Sequence, residues 1–410
     1  MFSERLFYFC GMDNIILFDD AAIRGSLLPF TFTRPVADIR VGILKISEKW
    51  EKYSGQKAGF VTQDYLSKKF GHREGSATMI NGAACPTQEL WDAILSLNPN
   101  QALWFNQTLL AIKSDTPSEF NHDVAKEKSK VEYKGTFTLI QKTWNIFEFN
   151  AQEIKNDFNL ITSGRKSIGI SDPNTILYNE SQIFIEEGAK IKAAVLNAEN
   201  GPIYIGKNAE IQEGALIRGP FALCESSTVN MGAKMRGDIT VGPHSKIGGE
   251  VSNSVIFGYS NKGHDGFMGN SVLGEWCNLG ADTNTSNLKN NYASVKVWDY
   301  IKGGFSNTGL QFCGLMMGDH SKSGINTMFN TGTVVGVGAN VFGDGYPRNF
   351  IPSFSWGGAA GFTTFQYRKF EEVAIAVMNR RGLNFDETEK EIIQRVFELT
   401  KHYRIWDKTI

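Results

Sequence analysis

Hydrophobic and polar positions along the chain fall into two textures that meet near residue 170. From Asp13 to about Gly164, the runs NIILFDD (14–20), GQKAGFVTQ (55–63), ATMINGA (77–83), QALWFN (101–106) and TLLAIK (108–113) read as strands. Among them, ADIRVGILKISEKWEKY (37–53) and TQELWDAILSL (87–97) space their apolar residues by three and four and read as helices. This alternation predicts a Rossmann-like α/β domain with a mainly parallel sheet over residues 12–170. The lysine-rich stretch 114–135 reads as a solvated loop or exposed helix.

Beyond Asp172 the helical period disappears. An aliphatic residue followed by glycine or another small residue returns about every six positions, as in Ile183-Ile185-Gly188-Ile191, Ile203-Ile205-Gly206, Val241-Gly242-Ile247-Gly248 and Val334-Val335-Gly336. Each unit of such a repeat forms one flat side of a triangular coil: the aliphatic side chain points inward and the small residue lets the backbone turn the corner. Three sides make a coil of about 18 residues, so residues 171–361 are expected to form a left-handed parallel β-helix of roughly eight or nine coils, interrupted by insertions. A β-sandwich would instead alternate at period two, with turns every ~8–12 residues. The tail, 362–410, changes texture again. FQYRKFEEVAIAVMNRRG and DETEKEIIQRVFELTKHYRIW predict two helices separated by Gly382, the second capped by Asp386 with Glu389 three residues on. They are expected to close the prism end or form a subunit contact, without a catalytic role.

Composition narrows the classes of function. At 410 residues the chain can bury a full core without staples. Its 42 basic and 43 acidic side chains nearly cancel, which removes the electrostatic footprint that nucleic-acid binding needs. No apolar run approaches the roughly 20 residues of a membrane-spanning helix, so neither a nucleic acid nor a membrane is an expected partner. Cys10, Cys85, Cys224, Cys277 and Cys313 stand singly with no metal-ligand spacing, which fits a reducing, cytoplasmic setting better than disulfides or structural zinc. In FSERLFYFC the apolar stretch is very short, Glu4 precedes it and no cleavage site follows, so residues 1–11 read as an N-terminal extension.

The densest cluster of unusual polar residues is YSNKGHDGFMGNSVLGEWCNLGADTNTSNLKNN (259–291), where a histidine and several asparagines occupy positions that coils ordinarily give to small or aliphatic residues. His264, Asn278, the turn Leu279-Gly280-Ala281 and Asn287 resemble, in type and interval, the acetyltransferase half of the bifunctional N-acetylglucosamine-1-phosphate uridyltransferase/glucosamine-1-phosphate N-acetyltransferase family. That resemblance implies an acetyl-CoA-dependent sugar N-acetyltransferase. His264 would accept the proton of the attacking amine of glucosamine-1-phosphate, Asn278 and Asn287 would hold the sugar, and the Ala281 turn would offer a backbone group to the thioester carbonyl. The residue types suit the chemistry: a neutral imidazole can deprotonate an amine near pH 7, and acyl transfer needs donors where the oxyanion develops. For His264 the competing reading is a buried histidine capping a coil corner.

Two positions depart from the family pattern. Phe267 replaces a tyrosine, leaving Tyr259 or Tyr292 to supply a hydroxyl, and Ser252 replaces a lysine, so the substrate phosphate must be held elsewhere. Arg236, Lys262, Lys289 and Lys296 are the candidates, with a solvated arginine as the alternative for Arg236. In a second polar block, residues 318–343, which includes His320, Lys322 is the candidate for the nucleotide phosphates of coenzyme A, with Arg348 beyond it; a solvent-facing loop is the alternative. His244 is expected on an exposed corner.

The opening IILFDDAAIRGSLLPFTFTRPVADIRVG (15–42) resembles the start of sugar nucleotidyltransferases, and Arg24, Pro29, Thr31, Arg34 and Pro35 fit the later part of that pattern. Arg24 and Arg34 are therefore the nucleotide-binding candidates. Asp19-Asp20-Ala21-Ala22 stands in place of the family's glycine loop, and Ala83 in place of its magnesium-holding aspartate. Asp19 and Asp20 become the candidates for Mg2+, with UTP as the nucleotide. WNIFEFNAQEIKNDF (144–158) resembles the end of this domain in a divergent branch. Two outcomes stand open: uridylyl transfer forming UDP-N-acetylglucosamine, or a degenerate domain that only binds. The non-enzymatic alternative is a structural trimer. Family members with this prism are trimers whose sites lie between subunits, so a homotrimer that buries the repeating aliphatic edges of the flat sides is expected.

Overall fold

The computed structural model describes residues 14–117, 120 and 122–407, so the extension 1–11 lies outside the described residues. Six strands build the first domain: β1 (Asn14–Phe18), β2 (Gly59–Val61), β3 (Ala77–Asn81), β4 (Gln101–Phe105), β5 (Thr108–Ser114) and β6 (Ser129–Glu132), in spatial order β2-β1-β3-β5-β4-β6. β1 is parallel to β2 and β3, and β6 is parallel to β4. β5 alone runs against its neighbours, because the short turn at Asn106, with φ 54°, folds it straight back on β4. The lysine-rich stretch contains a short helix, His122–Lys126, as well as the strand Ser129–Glu132. The helix expected over 37–53 spans only Ile46–Ser54. The preceding residues turn toward the β-helix instead, with Gly42 at φ 79° and its N–H donated to Asn150 Oδ1 at 2.8 Å, so tertiary contact overrides the apolar period.

From Ile176 the chain winds through three parallel sheets. Face 1 runs from Ile176–Tyr178 to Met328–Phe329, face 2 from Ile183–Ile185 to Phe350–Ile351, and face 3 from Lys190–Ile191 to the closing hairpin Ser355–Gly358/Gly361–Thr364. Successive coils stack in register, Ile203 on Phe221 on Ile239, and the inward aliphatic residues form one continuous core. Coil length varies. Thr240 pairs with Val255 across a shortened coil, whereas Val272 pairs with Met316 across an insertion that carries the hairpin Lys296–Asp299/Gly304–Asn307.

The first domain covers face 2. Ala222, Thr240, Val255 and Phe257 are buried beneath it; Phe30 packs on Phe257 with centroids 5.3 Å apart, and Thr240 Oγ1 donates to Gly42 O at 2.9 Å. One of the flat sides expected to be buried by oligomerisation is therefore covered within the chain. The tail forms helices over Tyr367–Asn379 and Glu387–Leu399, with Asp386 accepting from the Glu389 N–H at 2.9 Å. Phe370 of the first helix meets Phe354 and His320 edge-on, while Lys68 of the first domain pairs with Glu391 of the second at 2.9 Å. The tail thus bridges prism and first domain.

Candidate active site

His264 turns the corner between face 3 and face 1, after Asn261–Lys262 and before Phe267–Gly269. Gly266, at φ 113°, permits that corner, since a Cβ there would strike the Thr283 backbone of the next coil. The imidazole is exposed, which rules out the buried-cap reading, and it forms no hydrogen bond among the described residues. Lys262, one of the phosphate candidates, points into the prism instead. It is 1% exposed, beside Ile247 of the preceding coil, and its Nζ donates to His264 O and, at 3.0 Å, to Asp265 O. Burial lowers its pKa to about 8. One coil on, Ala281 occupies the same edge: Asp282 N donates to Asp265 O at 3.1 Å and Ala281 O accepts from Asn326 N at 2.8 Å. The Ala281 N–H has no acceptor among the described residues, so a donor stands free one coil from His264.

Asn278 is exposed on face 3 in an outward ladder, Lys246-Asn261-Asn278-Lys322. Asn261 Nδ2 donates to Asn278 Oδ1 at 3.4 Å. These four side chains line a cavity of about 380 Å³, walled on one side by Tyr259 and Trp276 and on the other by Arg380 and Arg381, just past the Tyr367–Asn379 helix. Asn278 and Lys322, read from sequence as sugar and coenzyme residues, thus share one cavity. Lys322 Nζ donates to His320 O at 2.9 Å, and burial lowers its pKa to about 8. The corner between faces 2 and 3 is an aromatic stack, His244 on Tyr259 at 4.9 Å, Tyr259 on Trp276 at 4.4 Å and Trp276 on His320 at 6.1 Å. His320 is buried, with its pKa pushed well down by desolvation, and belongs to this stack rather than to a solvent loop.

Other candidates lie apart. Asn287 sits at the far end of face 1, where its Nδ2 donates to Asn270 Oδ1 at 2.8 Å. Arg236 lies toward the same end, paired with Glu250 at 3.0 Å. Lys289 donates to Ser294 O at 2.9 Å and, with Lys296 and Arg348, lines a separate cleft of about 560 Å³ over Trp298 and Phe350. Tyr292 is exposed in the insertion.

The first-domain candidates all have partners within the chain. Arg34 is buried and spans the domain boundary, ion-paired with Asp319 and, at 3.3 Å, with Glu275 of the β-helix, and with Asp38 at 3.4 Å. Three carboxylates within the chain thus offset its charge. Arg24 Nη2 donates to Thr31 O at 2.6 Å and to Tyr65 Oη at 2.9 Å, and its Nε lies 3.4 Å from Asp19. Asp19 accepts from Val36 N at 2.8 Å and Thr62 Oγ1 at 2.6 Å, and burial raises its pKa. Asp20 caps the Ala21–Ser26 helix through the N–H groups of Ala22 and Ile23. Neither carboxylate fits a magnesium site, and no group of three or more metal-type ligands exists among the described residues.

Lys246, Asn261, Arg380 and Arg381 escaped the sequence reading. The first two share a ladder with Asn278, but coils of unequal length hide the common register. The arginines sit in a tail whose amphipathic pattern shows helices and not what their ends approach.

Residues 15–166 match the sugar nucleotidyl transferase family. The chain is 31% identical over 214 residues to a bifunctional sugar-1-phosphate nucleotidylyltransferase/acetyltransferase of Sulfurisphaera tokodaii, covering 52% of this chain and 46% of that protein. It is likewise 31% identical over 216 residues to the bifunctional protein GlmU of Methanocaldococcus jannaschii, with the same shares covered, 52% and 46%. An uncharacterized acetyltransferase, YaiX, of Escherichia coli is 27% identical over 187 residues, 45% of this chain and 71% of that one. The chain spans about half the length of the bifunctional relatives it matches.

Proposed function

Taking the chain as a divergent relative of the bifunctional sugar nucleotidyltransferase/acetyltransferases, we propose that it transfers the acetyl group of acetyl-CoA to the amine of a phosphorylated amino sugar, with glucosamine-1-phosphate the first substrate to test. The observation that carries this reading is an unengaged, exposed histidine on the prism edge, three residues along the chain from Asn261 in the wall of the Asn278 cavity. Neutral His264 takes a proton from the amine as its nitrogen attacks the thioester carbonyl. The Ala281 N–H is the candidate donor to the oxyanion, and collapse of the tetrahedral species expels the thiolate, to which the imidazolium returns the proton. Asn287 and Arg236, at the far end of face 1, would reach a His264 only across a contact between chains, which favours a homotrimer with shared sites.

The first domain, in this reading, docks on the β-helix and does not transfer uridylyl groups, because Arg34, Asp19 and Asp20 are already engaged. His264→Ala is expected to lower kcat/KM for acetyl transfer by about 10²–10⁴-fold with an unchanged fold by circular dichroism. Undiminished turnover would remove the base assignment. Pyrophosphate release from UTP, Mg2+ and N-acetylglucosamine-1-phosphate is expected to be absent, and its detection would restore the bifunctional reading.

A further inference from the structure

Four cationic side chains from two distant parts of the chain converge on the Asn278 cavity: Lys246 and Lys322 from face 3, and Arg380 and Arg381 from the end of the first tail helix. Among the described residues no carboxylate lines that cavity. Neither arginine is ion-paired among the described residues, and Arg381 is positioned by its Nη2, which donates to Asn261 Oδ1 at 3.3 Å, while Asn261 in turn reaches Asn278. Cations at a helix C-terminus gain only about 0.3–1 kcal/mol from the dipole. That gain accounts for arginines at the helix end but not for two lysines facing them across the cavity. An anion seated among these four cations would be attracted by all of them.

We infer that the tail supplies the anion-binding half of the acceptor site: Arg380 and Arg381, with Lys246 and Lys322, hold the phosphate of the amino-sugar substrate beside the amides of Asn261 and Asn278. This rests on the acetyl-transfer reading above and answers the question left by Ser252, where the family's lysine is missing. Arginine suits the role because its planar donor fork matches phosphate oxygens. The cavity, at about 380 Å³, falls within the range of small-molecule sites. Its two asparagines carry the donor and acceptor groups that sugar hydroxyls require beside the phosphate. The helix is held by Phe370 and Met378, both buried, and by the turn at Gly382, φ 70°, so the arginines are carried on a packed element rather than a loose terminus.

The test uses the full-length chain with Arg380→Ala/Arg381→Ala, and Lys246→Ala as a second variant on the opposite wall. Titration calorimetry with glucosamine-1-phosphate, glucosamine and coenzyme A is read beside steady-state kinetics. The inference expects Kd and KM for glucosamine-1-phosphate to rise at least about tenfold in both variants, with kcat and the KM for acetyl-CoA changed less than about threefold, and with no change in binding of unphosphorylated glucosamine. A loss confined to coenzyme A would overturn it and assign the cations to the coenzyme's phosphates, as would unchanged binding of every ligand. If the wild type bound glucosamine-1-phosphate through these residues yet transferred no acetyl group, the proposed reaction would fail while the anion site stood.

Discussion

At the residue scale, Lys262 separates a structural lysine from a ligand-binding one. Its ammonium is buried in the prism and satisfied by the carbonyls of the corner that carries His264, so it positions that corner from inside. The shift from 10.5 to about 8 means that the unfolded chain holds this proton more tightly than the folded one. The cost of keeping it charged is fully present below about pH 8 and is relieved as pH rises toward 10.5. Denaturant melts of Lys262→Met and the wild type should therefore differ in a pH-dependent way, the balance moving toward the wild type by roughly 3 kcal/mol between pH 7 and 10.5. A difference that stays flat would mean that the lysine is solvated. The same variant leaves the His264 and Asp265 carbonyls without their donor, and kcat is expected to fall with it.

At the scale of elements, the joint between first domain and β-helix is ionic at its centre. Asp319 accepts from Thr33 Oγ1 at 2.6 Å and pairs with Arg34, and its other oxygen accepts from Glu275 N at 2.8 Å. Inside the first domain a second buried group ties Lys49 to Glu153 and Asp157, both at 2.6 Å, while Asp157 accepts from the N–H groups of Ile43 and Leu44. Removing one partner from such a buried group strands the other, so Arg34→Ala should destabilise the chain by about 3–5 kcal/mol in thermal or denaturant melts. A change below about 1 kcal/mol would show the pair to be solvated, and would reopen Arg34 as a nucleotide ligand. Most elements on either side of this joint were legible as patterns. The strand runs, the hexapeptide register and the Asp386 cap all follow from local periodicity and capping chemistry. Residues 37–45 were not, because their apolar spacing imitates a helix while Gly42, Asn150 and the β-helix pull them into a turn.

At the scale of the whole molecule, the edge that bears His264 also carries Met231 and Ile325, 70% and 71% exposed. In the proposed homotrimer these large apolar side chains are the expected contact points between copies, and Asn287 can serve the same site only if such a contact exists. Ile325→Asp is expected to shift sedimentation from trimer to monomer and to lower acetyl transfer in parallel. A fully active monomer would exclude a shared site. Within the chain, the first domain occupies face 2 and the tail walls the Asn278 cavity on face 3.

The sequence alone determined the architecture and the position of the histidine. Inward aliphatics at a six-residue period can be satisfied by few folds, and a polar cluster interrupting them marks where the repeat carries chemistry. Which side chains meet was decided only by tertiary structure. Unequal coils set Lys246, Asn261, Asn278 and Lys322 in one ladder, a tail helix brought Arg380 and Arg381 to it, and domain docking set Arg34 in a pair with Asp319. The reason is physical: periodicity records whether a residue faces in or out, whereas a charge is satisfied by whichever partner the fold brings within a few ångströms, at any distance along the chain.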